Sequence, residues 1–446
     1  MERQILNDLI SWSQSPSKKP LVLKGARQVG KTWALLEFGK LYYEKKGYTC
    51  HYIDFRNSKD LFSIFEETNN PFEIINLLQF RLKTNIDIQK DLLIFDEIQE
   101  CPQAISSFKY FDQSMNELDL IAAGSHLGLL KNQESFPVGK VDFLYMFPMT
   151  YKEFIKSVDH HAFIILEEWK MNHSLPAIVH NRLIELWTIY LFTGGLPEVV
   201  TTWIEESKNT MTAISKVRKV QRNLIEGYRS DFSKYSGIVN ATHINYTFDA
   251  VSAQLSKAQE ANVNKFIFKA VIPNRKGFDS IRGPISWLRE ARLIIKTGIA
   301  IKAFHPLKSY TDENKFKIFL FDTGLLNCLL DIPGEVILDR EIGPYKGFIV
   351  ENYIAQELFA HYNRDLISWQ EGTSELEFLI VKGKDIIPIE VKSSSRQRKA
   401  KSLDSFISRY SPNNAFKLTG QNYGHSPNRK ITTVPIYSCS KLLDKF

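Results

Sequence analysis

The sequence predicts an α/β chain in three parts: a parallel-sheet domain over residues 1–165, a helical middle region over 166–310, and a mixed domain of strands and helices over 311–446. Three observations carry this. Short apolar runs alternate with amphipathic stretches through the first part, the pattern of a parallel sheet with helical crossovers. The periodicity then turns helical, with few strand-like runs. After about residue 311 strands and helices mix again. A chain of 446 residues is also too long for one ordinary domain, and 43% apolar residues give each part enough material for a core.

In the first part, Leu21–Leu23, Tyr52–Phe55, Leu92–Phe95 and Leu118–Ala123 read as buried strands. No apolar run is long enough to cross a bilayer. The opening residues lack the basic and apolar pattern of a secretory leader, so the expected location is the cytoplasm and no membrane partner is expected. Four scattered cysteines, Cys50, Cys101, Cys328 and Cys439, argue against a disulfide framework and a zinc site. A net charge of +7 is compatible with a polyanionic partner but modest for this length.

Gly25-Ala26-Arg27-Gln28-Val29-Gly30-Lys31-Thr32 fits G-x-x-x-x-G-K-[ST] at every fixed position, directly after a strand and before the apolar helical stretch Trp33–Phe38. Phosphates need converging backbone N–H groups, and glycine lets the chain wrap them with no Cβ in the way. The following helix adds the positive end of its dipole. All eight residues are expected to cradle ATP, with Lys31 bridging the β- and γ-phosphates and Thr32 ligating Mg²⁺. The strand Leu92–Phe95 ends in Asp96-Glu97, at the sheet edge where open α/β sheets bind ligands. Asp96 is expected to hold Mg²⁺ through water and Glu97 to act as general base on the attacking water. The tandem acids favour hydrolysis over transfer to a small acceptor. Leu118–Ala123 leads into Gly124-Ser125-His126, where Ser125 is the candidate sensor of the γ-phosphate; a plain strand-ending turn is the other reading.

These segments resemble the AAA-type prokaryotic ATPases. Lys19–Leu23 with the glycine loop, Phe95–Gln99, Gly124-Ser125, Ser135–Val141 and Phe147–Thr150 before Glu153-Phe154 carry the resemblance. Gly194–Glu198, Tyr228–Tyr235 and Phe319–Leu326 extend it over essentially the whole chain. It implies an AAA+ core with Lys31, Thr32, Asp96, Glu97 and Ser125 in the roles above, and a C-terminal domain of unknown function. Where the family often has arginine, this chain has Lys140, which cannot fork onto two oxygens. An arginine-finger role there, and ring-like self-association with it, stays open beside a structural role. Arg27 is the other cation near phosphate.

In the middle region, residues 279–299 read as a short helix running into a β-hairpin, with Pro284 at a first helical position and a buried stripe of Ile285, Leu288 and Ala291. That is the end of a winged helix, and the family resemblance agrees. Arg282, Arg289 and Arg292 could meet a DNA backbone, line a solvated face, or serve a lid or protein contact.

In the C-terminal region Glu351 falls on a helix, Glu377 on a strand and, after a turn at Lys382–Asp385, Glu390 and Lys392 share one face of the next strand. An acid, a hairpin and Glu-x-Lys resemble the PD-(D/E)XK nucleases, which implies a restriction-endonuclease-like α/β domain. Carboxylates would gather a second metal ion, with Lys392 steadying water near a phosphodiester. Glu377 stands where that pattern normally has Asp. Arg396, Arg398, Lys399 and Lys401 follow as a stretch able to track phosphates. An exposed strand face that alternates Glu and Lys is the plainer alternative. The leading reading is thus an ATPase coupled to DNA binding or processing. The alternative is a nucleotide-dependent switch that binds a protein partner, with an inactive nuclease-like domain.

Overall fold

Runs such as Leu92-Leu93-Ile94-Phe95 are apolar on both faces because both faces are covered, as befits strands inside a parallel sheet. The computed structural model describes residues 1–125, 137, 139–261, 265–340, 346–392 and 400–444. Its packing divides the chain into two units, Met1–Phe147 and Pro148–Phe446. Among the described residues no helix is long and apolar enough to cross a membrane.

The first unit holds five strands, β1 (Leu21–Gly25), β2 (Cys50–Asp54), β3 (Leu92–Asp96), β4 (Asp119–Gly124) and β5 (Asp142–Met146). They lie in the order β2-β3-β4-β1-β5, every pair parallel. The chain leaves β1 for β2 at one edge and leaves β4 for β5 at the other. The crevice between β1 and β4 is therefore a topological switch point, where such sheets bind ligands. Helices Phe62–Glu67, Pro71–Leu82 and Pro102–Ser114 contribute to one apolar layer, in which Phe55, Phe65, Phe95 and Phe108 meet by edges and tilted faces.

The second unit opens with helices, among them Tyr151–Val158, Ala177–Thr193, Pro197–Glu206, Thr210–Ser236 and Ile238–Ala261. It continues into an eight-stranded mixed sheet of β6 (Ile294–Ala300), β7 (Thr311–Leu320), β8 (Leu366–Glu371), β9 (Ser374–Lys382), β10 (Asp385–Lys392), β11 (Ala415–Thr419), β12 (Gly424–Ser426) and β13 (Ile431–Pro435), ordered β12-β13-β11-β10-β9-β8-β6-β7. Helix Lys401–Tyr410 crosses from β10 to the parallel β11 and buries Leu403 and Phe406 against Trp369 and Leu376.

Two family-like motifs, Gly194–Glu198 and Phe319–Leu326, meet here. Asp322, fully buried, accepts from the Gly195 amide (2.7 Å) and caps helix Thr323–Leu329 through the Leu325 amide (2.9 Å). Burial raises its carboxyl to about 6 against the pull of those amides. A Cβ on Gly195 would lie 2.1 Å from the Met149 carbonyl oxygen, so only glycine lets the strands of backbone pass.

Helix Tyr151–Val158 packs in the second unit, where the Tyr151 hydroxyl donates to Leu183 (2.7 Å) and Glu357 accepts from the Tyr151 amide (2.8 Å). The division at 310 falls between β6 and β7, which pair antiparallel in one sheet. Helix Asp279–Glu290 does lead into that hairpin, both of whose strands belong to the eight-stranded sheet. Ile285, Leu288 and Ala291 are buried as the spacing predicts, whereas Pro284 lies inside the helix rather than at its start.

Candidate nucleotide-binding site

The glycine loop leaves β1 at the switch point. A Cβ on Gly25 would sit 2.3 Å from the carbonyl oxygen of Met146 in β5, and Gly30 takes a left-handed conformation (φ 96°) to start helix Lys31–Phe38. Arg3, buried under the loop, donates to the Val29 carbonyl (2.8 Å) and the Phe147 carbonyl (2.7 Å), tying the loop to the end of β5. Lys31 is buried and its ammonium donates to the carbonyls of Gly25 (3.0 Å) and Ala26 (2.8 Å). Burial lowers it to about 8; Asp96 opposes that, while Arg27 and Arg56 add to it.

Thr32 donates to Asp96 Oδ2 at 2.5 Å, so the loop and the β3 acid are in contact. The same oxygen accepts from the Tyr52 hydroxyl (2.9 Å), and Asp96 Oδ1 accepts from the Glu97 amide (2.8 Å). Tyr52 is held protonated, by burial first and then by Asp96. A hydroxyl and a carboxylate this close are the hard oxygen donors that suit Mg²⁺, which takes few protein ligands and fills its sphere with phosphate and water. Glu97 adopts a left-handed backbone (φ 49°), an arrangement that costs a non-glycine residue about 1 kcal/mol or more and gathers at functional sites. Its carboxylate is tied to Arg56, just past β2, and to Gln99.

Ser125 is buried one residue past β4, whose Gly124 pairs with Lys24 of β1. His126, Ser135, Phe136 and Val138 lie outside the described residues. Lys140 forms an ion pair with Asp112 of helix Pro102–Ser114 at 2.9 Å. Sequence reasoning missed Arg3, Tyr52, Arg56 and Gln99. For Tyr52 the signal was present: strand alternation puts it on the same face of β2 as Asp54, which pairs with Asp96.

In the second unit the β9–β10 hairpin and the shared face of Glu390 and Lys392 form as expected. The second metal site does not. Among the described residues no three acidic, histidine or cysteine side chains gather as a metal-holding group. Lys392 lies 2.9 Å from Glu390 and 3.7 Å from Glu377, and Glu377 also accepts from the Val391 amide (2.9 Å). Lys317 of β7 binds Glu375 at 2.6 Å. Burial pulls Lys317 down, but Glu351, Glu375 and Glu377 together outweigh it and hold it protonated. Burial raises Glu351 to about 7, with Glu377 and Glu375 adding and Lys317 and Lys392 opposing. Glu351, Glu377, Glu390 and Lys392 are thus brought together, with the ammonium groups of Lys392 and Lys317 among these acids. One oxygen of Glu390 remains buried without a partner. Arg396, Arg398 and Lys399 lie outside the described residues, and Lys401 begins helix Lys401–Tyr410, exposed.

Residues 17–155 match the family model of an AAA domain, residues 184–336 that of a domain of unknown function (DUF8612), and residues 346–439 that of another (DUF4143). No curated protein matches the chain. Among solved structures it is similar to AMPPCP-bound DnaA from Aquifex aeolicus, at 15% identity and a TM-score of 0.28 over 64% of this chain and 85% of that one. It is similar also to Cdc6p from Pyrobaculum aerophilum, at 15% identity and a TM-score of 0.28 over 76% of this chain and 94% of that one. With a glycine loop, a contacting β3 acid and a match over residues 17–155, the first part of the chain carries an AAA-type P-loop ATPase domain.

Proposed function

We propose that the first unit binds Mg-ATP in the Gly25–Thr32 loop and hydrolyses it, and that this turnover is coupled to DNA through the second unit. The observation that carries the ATPase reading is the 2.5 Å contact between Thr32 and Asp96, which joins the loop to the acid pair. Lys31, now bonded to two loop carbonyls, exchanges them for phosphate oxygens and supplies charge to the β- and γ-phosphates. Thr32 and Asp96 would hold Mg²⁺, which neutralises charge developing on the phosphates. Glu97, swung from Arg56 and Gln99, orients the attacking water and accepts its proton. Ser125, at the neighbouring strand end, contacts the γ-phosphate in this reading.

Cleavage of DNA is not part of this proposal, because among the described residues no three acidic, histidine or cysteine side chains gather as a metal-holding group. The second reading is a nucleotide-dependent switch acting on a protein partner through an inactive nuclease-like domain, which the lack of a metal-holding group among the described residues favours over cleavage.

The test is steady-state ATP turnover of the full chain with and without duplex DNA. Stimulation by DNA is expected. Lys31→Ala should lose nucleotide binding, and Glu97→Gln should bind ATP while turning over at least a hundredfold more slowly, on the order of what a general base contributes. Wild-type turnover in Glu97→Gln would remove Glu97 from its role. ATP turnover indifferent to DNA would leave the protein-partner switch as the reading.

A further inference from the structure

Positive charge is not spread evenly along the chain. Residues 265–317 contain twelve Lys or Arg against four Asp or Glu, while the surplus for all 446 residues is seven, so the remainder is close to neutral. Part of this segment is brought together in space. Arg289, two helical turns after Arg282 on helix Asp279–Glu290, reaches Asp365 at 2.6 Å, and Lys308 reaches the same carboxylate at 3.4 Å. Lys296 of β6 lies 4.2 Å over the Phe316 ring and 5.6 Å from that of Phe278. Burial lowers its pKa, with Arg289 and Arg282 adding and Glu313 and Asp365 opposing, which places both arginines within electrostatic reach. Arg292, grouped with the two arginines by sequence, lies instead over Phe359.

Arg289 and Lys308 thus share one acid, with Lys296 and Arg282 within electrostatic reach of this group. Arg289 and Lys308 are 48% and 75% exposed, so their pairs with Asp365 are weak and open to exchange for another anion. The rings beneath, Phe268, Phe278 and Phe316, pack on one another at centroid distances of 5.4 to 5.6 Å. Their faces are taken up by each other and by Lys296, not offered as platforms for unstacked bases. Such a surface fits a regular line of phosphates better than a single strand.

We propose that Arg282, Arg289, Lys296 and Lys308 form a surface that binds the phosphate backbone of double-stranded DNA. This rests on the DNA half of the function proposed above and locates it; it is independent of the ATPase half. Binding through phosphates carries no base readout, so affinity should vary little with sequence and steeply with salt.

The experiment compares the full chain with the triple variant Arg282→Gln, Arg289→Gln, Lys308→Gln on a labelled duplex across a salt series. Lys296 is left in place because it packs on the rings. A control triple, Lys170→Gln, Lys208→Gln, Lys219→Gln, removes the same charge from exposed positions elsewhere. Urea midpoints of the full chain report whether each variant folds. The expected result is a loss of about eightfold in affinity per contact at 0.1 M salt, with a log–log salt slope shallower by about 0.9 per contact. The control should stay within about twofold. Equal weakening by the control, or an unweakened triple variant, overturns this surface while leaving DNA coupling intact. A wild-type chain that turns over ATP yet has no salt-dependent affinity for the duplex overturns both. Equal or tighter binding to anionic phospholipid vesicles, lost in the same triple variant, reassigns the surface to membranes.

Discussion

Removing the Arg56 side chain should speed ATP hydrolysis. Glu97 is tied to Arg56 and Gln99, and it must leave both to act on a water at the γ-phosphate. The Arg56 side chain is 47% exposed and that of Glu97 18%, so the pair is a solvent-screened one, worth about 0.2–1 kcal/mol. Deleting Arg56 lowers the cost of releasing Glu97 by that amount, which corresponds to a rise in kcat of roughly 1.4- to fivefold. The assay is steady-state hydrolysis at saturating Mg-ATP for Arg56→Ala, with Glu97→Gln as a second background. In that background Arg56→Ala should have no further effect on kcat, because the charge it restrains is gone. A second readout follows from Lys31. Burial is the main cause of its lowered pKa and Arg56 is a smaller one, so the pH at which ATP affinity falls should move upward in Arg56→Ala. A fall in kcat of tenfold or more, with the fold intact, would refute the reasoning. Arg56 would then be acting on phosphate rather than holding Glu97 back.

Other expectations rest on separate features. ATP affinity should be flat with pH up to about 8 and then fall by up to tenfold per unit, as the free protein loses the Lys31 proton that the phosphates require; calorimetry in buffers of different ionisation enthalpy should show proton uptake on binding there. Burial raises Glu357 to about 8, Tyr151's amide opposing and Glu153 adding, so the folded chain keeps a proton that the unfolded chain releases near 4.5. Stability should therefore fall from pH 4.5 to 8, by at most about 1.4 kcal/mol per unit from this group, and Glu357→Gln should match wild type near pH 5 but exceed it at pH 8 in urea midpoints. Gly195→Ala forces a Cβ against the Met149 carbonyl and should cost roughly 1–3 kcal/mol. Gly227→Ala, inside helix Thr210–Ser236 with open space around it, should gain about 0.5–1 kcal/mol in the same assay.

What could be read in the sequence was local. The glycine loop and the Asp96-Glu97 pair were legible because strand, turn and helix chemistry fall within a few residues, and the β9–β10 hairpin because period-two alternation brackets a Gly383 turn. Arg3, Tyr52 and Arg56 reach the site across 26, 44 and 41 residues of chain, and no spacing rule joins such positions. The extent of the sheet around the β6–β7 hairpin was hidden for a related reason. A helix followed by a hairpin looks the same whether the hairpin stands alone or joins six more strands, because strand pairing at long range leaves no periodic mark.

The acid cluster shows the deeper limit. Glu351, Glu377, Glu390 and Lys392 do share one place, so the pattern located them, but Lys317 came from β7, on the far edge of the sheet, and could not be counted. That one ammonium, with Lys392, changes the chemistry. The four carboxylates of Glu351, Glu375, Glu377 and Glu390 alone would repel one another and call for a divalent ion; two lysines among them halve that charge without it. Lys317→Met is the discriminating change. It leaves Glu351 and Glu375 without their cation, so it should lower stability by several kcal/mol at pH 8 and less at pH 5, where burial lets both carboxyls take up protons. Mn²⁺ that restores the lost stability at pH 8 in the variant, but leaves the wild type unchanged, would show that the lysine stands in for a metal. Mn²⁺ that stabilises the wild type as strongly, with the Lys31→Ala change in place to silence the nucleotide site, would show that the cluster is a metal site after all.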